Sequence, residues 1–133
     1  MKKLGLAFSL YVLALVYPLS VLAELTIEIT QGVDNPTRIA ISPVTLNGRS
    51  LPEDVSKIVS ADLERSGLFR PIPRSDMLSF PASVDDVYYR DWRILGAEYL
   101  VVGNAVNKDG RYQISFSLME VHSTRKVFSK VVE

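Results

Sequence analysis

"YLVVGNAVNKDGRYQISFSLMEVHSTRKVFSKVV", residues 99–132, decides the fold of this 133-residue chain. Its opening run, "YLVVG", is apolar on both faces, the mark of a strand covered on both sides or placed centrally in a sheet. Asn107, Lys108, Asp109 and Gly110 then form a hairpin turn. Beyond it Tyr112, Ile114, Phe116 and Leu118 alternate with Gln113, Ser115 and Ser117, the period of a strand with one wet face. "HSTR" (122–125) turns the chain again into "KVFSKVV". The last third is therefore an antiparallel meander.

Upstream the periodicity changes to that of helices. "RIAIS" (38–42) is a short β-branched strand halted by Pro43, and "LNGRSLP" (46–52) reads as a loop. Ser50 and Glu53 have capping-box spacing, Pro52 fits a first turn, and Val55, Ile58, Val59 and Leu63 repeat at helical spacing. Gly67 supplies the stop. "LFRPIP" (68–73) is extended, its prolines suiting an edge. "RSDMLSFPAS" (74–83) is irregular. A second helix is expected over Val84–Leu95, with Ser83 and Asp86 at the capping spacing. Val84, Tyr88, Trp92 and Leu95 would face inward, and Gly96 would end it. Trp92 is thus assigned to the core. Helical crossovers favour parallel pairing early and the hairpins antiparallel pairing late. The expectation is an α/β, two-layer domain. Two helices pack on one face of a mixed β-sheet with a C-terminal antiparallel meander.

The first 23 residues read as a signal peptide. Lys2 and Lys3 precede an apolar run from Leu4 to Val16, Pro18 breaks it, and Val21-Leu22-Ala23 offers a cleavage site after Ala23. That apolar run is short for a membrane span, so no membrane insertion is expected after cleavage. The mature chain would carry 13 Lys+Arg against 15 Asp+Glu, a net charge of −2. Such a balance argues against a nucleic-acid partner, which would want a clustered basic surface. The chain has no cysteine, which rules out disulfides and thiolate zinc sites. The mature start "ELTIEIT" alternates at once, with Leu25, Ile27 and Ile29 on one face and Thr26, Glu28 and Thr30 on the other.

No catalytic constellation is found. His122 is the only histidine and sits in a turn without an acid or thiol partner in sequence. Asp85-Asp86 lies at a helix start, where acids interact well with the macrodipole. "GNAVNKDG" (103–110) lacks the glycine spacing and following helix of a phosphate loop. No cofactor, metal or enzymatic role is expected. Asp62 falls within the apolar face of the first helix at 100° per residue. It is therefore expected to be a structural carboxylate accepting backbone amides from a neighbouring loop.

"ADLERSGLFRPIPR" (61–74) resembles the Ala-Asp-Leu-x-x-Ser-Gly-x-Phe segment of the TolB family's N-terminal domain. "RIAISPV" (38–44), "DWRILGAEYLVVG" (91–103), "NKDGRYQISFSLMEV" (107–121) and the mature start "ELTIEITQGVDNPTRIAI" (24–41) are similar to further family segments, in order. Val44 departs from the family, which usually carries an aromatic there. The resemblance implies a non-enzymatic periplasmic adaptor of the Tol-Pal system, supporting outer-membrane integrity and invagination at division. Its partners would be TolA and, mainly through a β-propeller, Pal. It places TolA binding at the mature N-terminus, here Glu24, Leu25, Thr26, Ile27, Glu28, Ile29 and Thr30. A strand at a chain end is suited to pair with a partner's sheet edge; the alternative is that residues 25–31 pair within their own sheet. The implied organisation is a signal peptide (1–23), a partner-binding strand and linker (24–36) and an α/β domain (37–133). The family's last helix and six-bladed propeller do not follow, so a fragment of a longer protein is expected. Rival readings are another envelope-assembly or lipoprotein-regulating α/β module, or a periplasmic ligand-binding domain.

Overall fold

Ten consecutive residues of "YLVVGNAVNK" form one long strand, and the rest of the sheet is arranged along it. The computed structural model describes residues 34–133. The leader, the cut after Ala23 and the segment Glu24–Thr30 lie outside the described residues. In chain order the elements are β1 (Thr37–Ile41), β2 (Thr45–Leu46), β3 (Arg49–Ser50), α1 (Val55–Arg65), β4 (Phe69–Pro71), α2 (Tyr89–Ile94), β5 (Tyr99–Lys108), β6 (Arg111–Glu120) and β7 (Arg125–Val132). Single 3-10 turns occupy Arg74–Asp76 and Val84–Asp86.

β1 runs parallel to β4 on one side and to β5 on the other. Each of those pairings is bridged by a helix-bearing connection, as parallel neighbours require. Further along β5, β2 takes over the parallel edge at Asn104 and Ala105, and β3 closes back on β2. The opposite edge of β5 pairs with β6 over its full length, Tyr99 to Glu120 and Lys108 to Arg111, and β6 pairs with β7. The α/β class, the two helices, the mixed sheet and the antiparallel meander are those expected from sequence.

The helices take opposite faces, not the single face expected. Ala40, Leu100, Val102 and Met119 point into a core with Ile72, Trp92, Ala97 and Val121. Their strand neighbours Ile39, Ile41 and Val101 look the other way, towards Val55, Val59 and Leu63 of α1. The reason is in the strands: "IAI" and "YLVV" are apolar at successive positions, so each face needs its own cover.

Three local expectations are corrected. First, α1 starts at Val55 with Asp54 as its N-cap, whose carboxylate accepts the Lys57 amide at 3.1 Å. Ser50 is already in β3, which removes it from the capping box. Second, the helix expected over Val84–Leu95 is broken. Val87 (ψ 119°) and Tyr88 (ψ 91°) are extended between the 3-10 turn and α2. The break lets Val84, Val87 and Tyr89 all pack on the core, and it moves Tyr88 out of the inner face to 72% exposure. Third, "LNGRS" is a small hairpin: Asn47 (φ 48°) and Gly48 (φ 76°) make the left-handed pair that a tight turn between antiparallel strands demands.

Candidate functional site

The α1 face of the sheet is only partly covered. α1 packs over β1 and β4, and beside it lies an open groove of about 810 Å³. Val55, Val59 and Leu63 form its helical wall, and Tyr99, Val101, Ile114, Phe116 and Leu118 form its floor. Phe128 and Val132 of β7 close the far side. Phe116 and Phe128 meet edge to face, with centroids 6.3 Å apart. The alternation in β6 creates this floor, since every second residue from Ile114 to Leu118 points into it. Phe128 remains 47% exposed and Val132 44%, so apolar surface meets water here. Such a surface can bury another apolar surface.

β7 is the outer strand of the meander, and all eight of its residues are exposed. It carries Lys126 and Lys130, and its pairing with β6 is interrupted by an irregularity at Leu118/Met119. Charges and a bulge are two ways in which an edge is guarded against unwanted strand pairing. At its start the Glu120 carboxylate accepts bonds from the Ser123 hydroxyl and the Arg125 guanidinium, which hold its pKa below the ordinary value. His122 lies exposed in that turn.

A polar cluster anchors the start of α1. Arg74 donates to both oxygens of Asp54, at 2.8 and 3.1 Å, and to the Ser56 hydroxyl at 2.6 Å. The Ser56 hydroxyl in turn donates to Asp54 at 2.6 Å. The bidentate guanidinium, helped by Ser56 and the Lys57 amide and opposed by partial burial, holds the Asp54 carboxyl far below the usual carboxylate range. Ser56 is 1% exposed. Sequence reading missed this cluster. Its available signal was an Asp immediately before the apolar-periodic run.

Asp62 is not a buried carboxylate. It is exposed and pairs with Arg65 one turn on, at 2.7 Å. The packed face of α1 is centred on Ser56 and runs through Val59 and Leu63, which turns Asp62 to solvent. Gly67 follows the helix at φ 73°, its amide bonded to the Glu64 carbonyl. Gly96 follows α2 at φ 71°, where an added Cβ would come within 3.4 Å of the Arg38 guanidinium. Trp92 is fully buried, and its indole N–H has no acceptor among the described residues. Asp62, Gly67, Trp92 and Gly96 are therefore scattered across helix ends and the core and form no common site. The candidate segment Glu24–Thr30 is outside the described residues. Among the described residues no three acidic or histidine side chains gather as metal ligands would, and no helix is long and apolar enough to cross a membrane.

Residues 25–127 match the family model described as the TolB amino-terminal domain. The Tol-Pal system protein TolB of Marinomonas sp. (strain MWYL1) is 49% identical over 116 residues, which cover 85% of this chain and 27% of that relative. The chain thus spans about a quarter of the length of the relatives it matches. Among solved structures, TolB from Acinetobacter baumannii superposes with a TM-score of 0.62 at 24% identity, over 80% of this chain and 25% of that one. The C-terminal domain of LpoB from Salmonella enterica gives 0.60 at 15% identity, over 77% and 84%. Both structural likenesses speak to the fold alone.

Proposed function

The chain belongs to the TolB amino-terminal domain family, of the Tol-Pal system, and from that premise we propose that it is a non-enzymatic periplasmic adaptor. Its mature N-terminal segment, Glu24–Thr30, binds TolA by adding a strand to the partner's sheet edge. The observation that carries this reading is the strict alternation of "ELTIEIT" at the head of the family match, which begins at residue 25. In a strand, Leu25, Ile27 and Ile29 would present one apolar row while the backbone amides and carbonyls remain available for pairing. The rest of the domain supports the division of labour. β1 is paired on both sides by described strands, and the core around Trp92 is buried by residues of the described domain itself. In this reading the chain is exported to the periplasm by a leader that is cut after Ala23. Pal is engaged chiefly by the longer protein's propeller.

Titration calorimetry of the exported chain against the TolA C-terminal domain tests this. Deleting Glu24–Thr30 should abolish the heat of binding, and Ile27→Pro should act almost as strongly because it removes a ladder donor. Changes at Thr26 or Glu28 should matter less. Circular dichroism on each variant reports the fold. Undiminished binding by a folded deletion variant would sink the reading, and loss of fold would favour pairing of residues 25–31 within their own sheet.

A further inference from the structure

We draw no further inference here: the strongest candidate, the open apolar groove between α1 and the β5–β6–β7 meander around Phe116 and Phe128, is an unpartnered face, and nothing in the structure shows what covers it.

Discussion

Asp54 does more for this domain than Asp62, though only Asp62 stands out in the sequence. Asp54 caps α1, holds Ser56 and ties the helix to the turn at Arg74. Asp54→Ala should cost about 1–2 kcal/mol, the range for a lost N-cap. Because its folded pKa is depressed, its contribution is present above the unfolded value of about 4 and declines as pH falls below it. Urea melts at pH 7 and pH 3 should therefore show the gap between wild type and Asp54→Asn narrowing at the lower pH. A gap that is constant or widens would contradict the ion pair's role. Asp62→Ala should change stability by less than about 0.5 kcal/mol, since an exposed pair with Arg65 contributes little. A loss of 2 kcal/mol or more in the same melts would restore the buried reading. Trp92→Ala should cost about 3–5 kcal/mol. Trp92→Phe should cost much less, because it keeps a ring while removing a buried donor that has no acceptor among the described residues.

At the scale of elements, legibility followed the strength of the local pattern. β5 was readable from its doubly apolar run and β6 from its alternation, and the Asp109-Gly110 turn (φ 53° and 80°) between them carried its own turn chemistry. The Asn47-Gly48 hairpin carried the same turn signal, but its strands are two residues each and offer no alternation to support it. α2 was misread because Val84, Tyr88, Trp92 and Leu95 keep helical spacing. The core does take Val84, Trp92 and Leu95, but with Val87 and Tyr89 in place of Tyr88, an exchange that the break in the helix delivers. Opposite-face packing was latent in "YLVVG", whose double apolarity already called for two covers. The groove could not be read, since it depends on how far α1 reaches across the sheet. Its exposure predicts that the domain binds an environment-sensitive apolar dye. Phe128→Glu should lower that fluorescence with a stability change of about 1 kcal/mol or less, because the ring is already half in water. Dye binding unaffected by this substitution would place the exposed apolar surface elsewhere.

At the scale of the whole molecule, the packed α/β body is distinct from the segment Glu24–Thr30, for which partner recognition is proposed. The body's architecture follows from strand and helix patterns, its family from the match over residues 25–127. The proposed recognition segment, Glu24–Thr30, was legible only as an alternating pattern in the sequence, and its partner came from the resemblance. Sufficiency is the most direct test of that separation. A synthetic peptide of residues 24–33 would be titrated into isotope-labelled TolA C-terminal domain and followed by NMR. The account predicts saturable shifts confined to one edge strand of TolA, with an affinity close to that of the whole exported chain, and no shifts from the Ile27→Pro peptide. A peptide that leaves the spectrum unchanged, while the whole chain binds, would contradict it and move recognition onto the folded body.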